Sequence, residues 1–560
     1  MNLKSIFSVV ALSALMVGCS SDDLTNEPGT VETPASGETM TGYLNVNINL
    51  PTVSATGARA LDQSNDQFDD GEPSEYAVNC AHLVVFDTDN EATAKVVGVF
   101  SFTDLKPWNT DASTTDNITS SAESVIKVQV TKSDNNLGAL VVLNDPTAET
   151  HFRNKTFQSL FEEGSIVDLT AMQNAKGFVM TNAPLYENKT AKTLVSVFPS
   201  SICNSPQEAQ QSPAIDVYVE RAVAKVNVTT SETLTNSITI STSTTENNEI
   251  KNDNVTYKAT VKAWALDITN QKSYLVRNVS DFNTWKAYAK GARFYSNDSK
   301  RIYWAIDPNY TNGSGEDAYI ADNFNKITDV PNTADVTAPV YILENTFDVA
   351  NQMRTRTTRA IIKATFAPEG QDPATFYTIG SAHTIYTKEG MQAFIKGLAV
   401  NLLEGKNDAS KYTFATNTSV SNAAGSHTIG AQDILYDGVV LTPEEVAKLN
   451  DAIGLINTYK DGICYYVARI QHFGEKYTKW NPGDPTYGQD KDPTTAANNY
   501  LGRYGVVRNN WYELQISEIK SLGNPTIPEA PDTPDDEDYS YISFKVNIHS
   551  WAKRVQNVIL

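Results

Sequence analysis

From Leu44 to Leu50 apolar and polar residues alternate without a break, with Leu44, Val46, Ile48 and Leu50 on one side and Asn45, Asn47 and Asn49 on the other. A period of two places the four apolar residues on one face of a strand, so that face requires a core. Pro51 ends the run, because proline cannot donate to a ladder. Residues 81–87 read as a buried strand and residues 95–99 as its hairpin partner, with a polar turn between them. Residues 125–130 and 137–143 add strands, and residues 156–162 predict a short helix. Residues 215–228 read as one long strand, followed by strands over 255–268, 360–366, 462–470 and 511–516. Thr442, Pro443 and Glu445 form the start of a capped helix over 442–456, with Val446, Leu449, Ile453 and Ile456 on one face. Near the end the strict alternation returns in Ile542, Phe544, Val546 and Ile548, and residues 551–560 close the chain.

The first sixty residues carry a different signal. Lys4 precedes a mostly apolar run over residues 6–17, which stops at Gly18-Cys19. The run is too short to span a bilayer and reads as an export signal over residues 1–19. A small residue directly before a cysteine at that point marks Cys19 as the lipidation site of a bacterial lipoprotein precursor. Residues 20–41, rich in Asp, Glu, Thr, Pro and Gly, read as a flexible tether. The loop over 53–74 is polar, and Arg59 is its only basic residue.

Length and charge narrow the function. A chain of 560 residues suggests two large domains or three smaller ones. The loop over 204–213 is the expected boundary, giving domains over 42–213 and 214–529 and a linker with terminal strands over 530–560. The net charge of −22 disfavours nucleic acid as a partner and leaves the membrane only through the lipid of the precursor. With Cys19 lipidated, Cys80, Cys203 and Cys464 remain, at spacings that give no disulfide framework. Cys80 and Cys464 are expected as buried thiols. No two of the six histidines have metal-pair spacing, and no nucleophile elbow, phosphate loop or dinucleotide fingerprint is present. No catalytic residue, cofactor or metal is therefore expected. Asp87-Thr88-Asp89-Asn90-Glu91 reads as a hairpin turn, and Tyr465, Tyr466, Trp511 and Tyr512 as core aromatics.

The two ends of the chain are alike. Leu44-Asn45-Val46-Asn47-Ile48-Asn49 and Phe544-Lys545-Val546-Asn547-Ile548-His549 alternate in the same phase and share Val-Asn-Ile. Segments so alike can occupy the same kind of groove, in which main-chain bonds give affinity and alternate side chains fill pockets.

The chain also resembles the Bacteroidales fimbrillins, which build type V pili, and most of all their minor-fimbrium shaft subunits. The resemblance rests on the junction at Cys19, on Glu220-Arg221-Ala222-Val223-Ala224-Lys225-Val226 and on Tyr341-Ile342-Leu343-Glu344-Asn345-Thr346. It continues through Gly462-Ile463-Cys464-Tyr465-Tyr466, through Gly502 to Tyr512 with Arg508-Asn509-Asn510, and into the tail from Trp551 to Leu560. It implies an all-β fold of two transthyretin-like β-sandwich domains with a few short helices in insertions. It further implies an outer-membrane lipoprotein precursor and cleavage between Arg59 and Ala60 by an Arg-specific protease. The first strand, with Leu44, Val46, Ile48 and Leu50, would then be replaced by the tail of a neighbouring copy. Trp551, Val555, Val558 and Leu560 are the expected donor residues, with residues 541–548 a second segment for that role. Partners would be other copies, anchor and tip subunits, and the protease. Beside a polymerising shaft subunit, the sequence leaves open a tip or accessory adhesin and a non-polymerising glycan-binding lipoprotein.

Overall fold

The computed structural model describes residues 39–51, 72–103, 118–131, 134–246, 249–288, 291–297, 300–310, 316–332, 337–382, 384–416, 418–473, 500–533, 547–550 and 554–559. It is predominantly β, with helices confined to connections and insertions.

The first eight-stranded sheet contains β1 (Thr39–Pro51), β2 (Ala81–Phe86), β3 (Val96–Ser101), β4 (Ile118–Thr131), β5 (Leu137–Leu143), β6 (Met180–Asn182), β7 (Val195–Val197) and β8 (Ile215–Arg221). The order is β3-β2-β5-β6-β8-β1-β4, with β7 also on β5. β8 serves both layers: residues 215–218 pair with β1, and residues 219–221 pair with β6. The layers close on each other as a sandwich. Its core joins Leu44, Val46, Ile48 and Leu50 to Leu83, Val85, Ile126, Val128, Val141 and Val217. β5 is buried on both faces. Its other face, with Leu140 and Val142, packs against Phe152, Phe178, Ala222, Val223, Leu275 and Leu343, and so ties the two halves of the molecule together.

The second sandwich begins at β9 (Ala224–Thr235), which continues β8 after a break at Ala222-Val223. The single strand expected over 215–228 is thus two, in two sheets. The expected boundary at residue 213 falls before this strand, whereas the change of sheet falls at residues 222–223. The remaining strands are β10 (Ser237–Glu246), β11 (Glu249–Asp267), β12 (Val340–Ile342), β13 (Arg359–Pro368), β14 (Phe376–Ile379), β15 (Ile385–Tyr386), β16 (Ile456–Tyr459), β17 (Ile463–Arg469), β18 (Asn510–Glu518), β19 (Asn547–Ser550) and β20 (Arg554–Ile559). One sheet runs β12-β9-β18, with β19 and β20 both on the far edge of β18. The other runs β16-β14-β15-β10-β11-β13-β17, with the strand Gly425–His427 beyond β16. Val226, Val228, Leu514 and Ile516 from the first meet Trp264, Ile362, Phe366 and Tyr466 from the second.

Two helices, α1 (Lys388–Leu402) and α2 (Pro443–Ile453), cover the end of the larger sheet through Met391, Ile395, Leu449 and Ile453. The Thr442–Glu445 capping box forms as the sequence predicts. The helix ends earlier than expected, because Gly454 turns to φ 71° and Ile456 opens β16. The helix expected over 156–162 is a single 3₁₀ turn, Gln158–Phe161. Cys464 is fully buried, whereas Cys80 is only half-buried and lies just before β2. The turn at 87–91 is held by its own acids, with Asp87 Oδ1 accepting from the Lys95 amide at 2.8 Å and Asp89 paired with Lys192 at 2.9 Å. Tyr466 and Tyr512 are core residues.

Candidate functional site

β1 is an internal strand. It runs antiparallel to β4 from Thr39 opposite Thr131 to Leu50 opposite Ser120, and parallel to β8 from Val46 opposite Ile215 to Asn49 opposite Tyr218. It begins at Thr39, within the stretch expected as tether, because β4 is long enough to pair it there. Leu44, Val46, Ile48 and Leu50 are all at most 2% exposed. Burying four such side chains contributes on the order of 6–12 kcal/mol, at about 1.5–3 kcal/mol each. Taking the strand away would leave two unpaired edges about 10 Å apart, the width of one missing strand.

The polar side of β1 is also covered. Tyr43 exchanges two backbone hydrogen bonds of 2.9 Å with Cys203. Gly42 lies so close to Ile202 that any side chain there would run into it. Asn45 donates to Glu123 at 2.6 Å and to the Ser212 carbonyl at 3.2 Å. Asn47 and Asn49 donate to Asp216 at 2.6 and 3.2 Å. Asn49 is 1% exposed, and its Oδ1 has no hydrogen-bond partner. A buried acceptor without a partner is costly.

Downstream of the segment that carries Arg59, the chain is clamped. Glu75, in the short helix Pro73–Tyr76, binds Lys225 at 2.8 Å and accepts the Tyr341 hydroxyl. Burial alone would raise its carboxyl, but the Lys225 and Tyr341 hydrogen bonds more than offset this and hold it below the ordinary value. Arg221 Nε donates to the Glu75 carbonyl at 2.7 Å, and the Arg221 amide donates to Asn509 at 3.3 Å. Lys225 also lies 3.8 Å above the Trp511 ring.

Two further buried pairs adjoin this clamp. Arg277 donates to Glu220 at 3.0 Å, with both side chains 1% exposed. Arg508 Nε donates to Glu344 at 2.9 Å, and its other nitrogens reach the Leu275 and Tyr274 carbonyls at 3.0 and 2.8 Å. Charges this deeply buried require partners. The sequence stretches around residues 220–226, 341–346 and 502–512 therefore converge on one junction between the sandwiches. Their individual residues gave no sign of this, because the partners lie up to 288 positions apart.

Of the other expected site residues, Cys19, Arg59, Ala60, Trp551 and Leu560 lie outside the described residues. Val555 and Val558 are on β20, opposite Glu513 and Ile516 of β18. Among the described residues no group of three His, Cys, Asp or Glu is arranged to hold a metal, and no helix is long and apolar enough to cross a membrane.

Fold and site thus define a β-rich protein of two sandwich-like packings with an N-terminal strand inside the first. Residues 457–557 match the family model described as major fimbrial subunit protein type IV, fimbrillin, C-terminal. The match runs from β16 through β19 into β20, so the C-terminal part of the chain is similar to that of fimbrial subunits. No curated protein matches the chain. Among solved structures, one described as a cell adhesion protein from Parabacteroides distasonis ATCC 8503 shares 12% identity over 92% of this chain and 96% of its own, with a TM-score of 0.36. A fimbrial assembly protein from the same organism shares 13% identity over 59% and 86%, at 0.28. The tip fimbrial protein Mfa3 from Porphyromonas gingivalis shares 12% over 93% and 99%, at 0.29. Likeness at this level carries no argument about fold or role.

Proposed function

We propose that the protein is the structural shaft subunit of a cell-surface fimbria and polymerises by strand replacement. The precursor is exported as a lipoprotein acylated at Cys19 and anchored to the outer membrane. An Arg-specific protease cuts between Arg59 and Ala60, and β1 leaves with the lipidated peptide. The C-terminal tail of another copy then fills the slot, and anchor and tip subunits end the filament. The fibre supports adhesion and biofilm formation.

The observation that carries this reading is the placement of β1. A strand with four fully buried apolar side chains precedes a segment containing Arg59, and the chain is clamped again at Glu75. A cut at Arg59 would therefore free the strand while the clamp holds the rest. The fimbrillin match over residues 457–557 supports the class of assembly. The two transthyretin-like domains implied by the resemblance belong to the same proposal.

Electrophoresis of unheated surface extracts tests it. The expected result is a ladder of multimers that collapses to one band on boiling. A single monomer band from cells displaying the cleaved protein would sink the polymerisation claim.

A further inference from the structure

We infer that Glu123 and Asp216 select the incoming strand, and that they seat residues 544–549 of a second copy in the register that puts Lys545 where Asn45 lies. The inference rests on the strand-replacement reading and adds to it the segment, the register and the recognising groups; it requires residues 547–549 to leave the edge of their own β18.

Glu123 on β4 and Asp216 on β8 flank the slot, and their carboxylates receive the outward amides of β1. Once β1 leaves, two carboxylates border a gap one strand wide with no donor between them. A replacement strand must supply N–H donors at three alternate outward positions and apolar side chains at the positions between. It must also be cationic to be drawn to this edge, since the chain as a whole carries −22 and its copies repel one another.

Phe544-Lys545-Val546-Asn547-Ile548-His549 meets both demands. Phe544, Val546 and Ile548 take the places of Leu44, Val46 and Ile48. Asn547 repeats Asn47, Lys545 brings a cation to Glu123, and His549 replaces Asn49, whose Oδ1 is buried without a partner. The extreme end is cationic through Lys553 and Arg554 but fails the apolar demand. In Arg554-Val555-Gln556-Asn557-Val558-Ile559-Leu560 one phase turns Asn557 inward and the other turns Arg554 and Gln556 inward. Either would set polar groups against Ile126, Val128 and Val217, which costs free energy unless they are paired. Residues 551–560 then lie beyond the position of Leu50, outside the apolar part of the slot.

The test uses the full chain expressed on its native surface. Lys545→Glu should lower the multimer fraction about 10-fold, the scale of one charge-assisted hydrogen bond. Glu123→Lys should do the same, and the two changes in one chain should restore the ladder. Because Glu123→Lys also disturbs the seat of β1, a cysteine pair provides the second arm. Asn45 lies directly opposite Val125, so Lys545→Cys with Val125→Cys should form a disulfide between subunits, whereas Val555→Cys with Val125→Cys should not. Normal ladders from Lys545→Glu, together with cross-linking through position 555, would overturn the register and leave strand replacement standing. Absence of multimers from the unmodified protein would overturn both.

Discussion

Each sandwich has one strand that runs parallel to the long β8–β9 element. In the first sandwich it is β1, paired with β8, and in the second it is β18, paired with β9. Both bury an apolar face completely: Leu44, Val46 and Ile48 in one, Tyr512, Leu514 and Ile516 in the other. They differ in what fastens them. β18 follows directly from the buried Arg508–Glu344 pair, carries Trp511 beneath Lys225, and bonds Tyr512 to His472 at 2.8 Å. β1 has no buried ion pair, and its side-chain polar contacts are asparagine amides on two exposed acids and on the Ser212 and Asn47 carbonyls. Two strands of similar burial thus have different fastenings, and the proposed replacement falls on the one without a buried ion pair.

The largest effect is expected from removing the strand that has no buried ion pair. Deleting residues 39–51 forfeits on the order of 6–12 kcal/mol of burial, about the whole stability of a typical domain. The protein should no longer yield a folded monomer, and gel filtration should find multimers or aggregate. A monodisperse, fully folded monomer would show that β1 is dispensable to the first sandwich.

Next comes the ionic fastening of β18. Arg508→Met leaves Glu344 buried without its charge partner and should cost about 3–5 kcal/mol, measured by chemical denaturation. Adding Glu344→Leu should recover most of that loss. A single substitution that costs nothing would mean the pair is ornamental and the contrast between the two strands false.

The Glu75 clamp should matter less, and its effect should depend on pH. Its folded carboxyl lies below the ordinary 4.5. It therefore contributes stability above that pH and loses the contribution as pH falls through the lower folded value. Glu75→Gln should cost about 1–3 kcal/mol at pH 7, and below pH 4.5 the difference from the native protein should shrink. A constant difference from pH 7 to pH 3 would contradict the assignment.

The smallest effect is expected far from both strands. Thr442→Ala removes the cap of α2, in which Thr442 accepts from the Glu445 amide at 3.3 Å. The loss should be about 1 kcal/mol, with multimer ladders unchanged. Lost ladders would bring the helical insertion into assembly.

The sequence was most legible where a short period repeats. The alternation from Leu44 to Leu50 foretold both a strand and its buried face, and the Thr442–Glu445 capping box foretold α2. It was least legible where distant residues meet. Glu220, Arg221 and Lys225 read as part of one continuous strand, yet each has a buried partner from another element, and the strand breaks beside them at Ala222-Val223. Local pattern also failed at Ile456, whose place on the helical face was overridden by Gly454. The asparagines of β1 stand on the polar side of the alternation, which by itself names no partner. They are half of a polar seat, because the segment around Cys203 and Ser212 folds over them.

N-terminal sequencing of subunits taken from assembled fibres tests the central claim most directly. The account predicts a start at Ala60, with β1 gone and its slot filled by another copy. A start at or before Thr39 would show that β1 stays in the fibre, and replacement of that strand could not be how the subunits join.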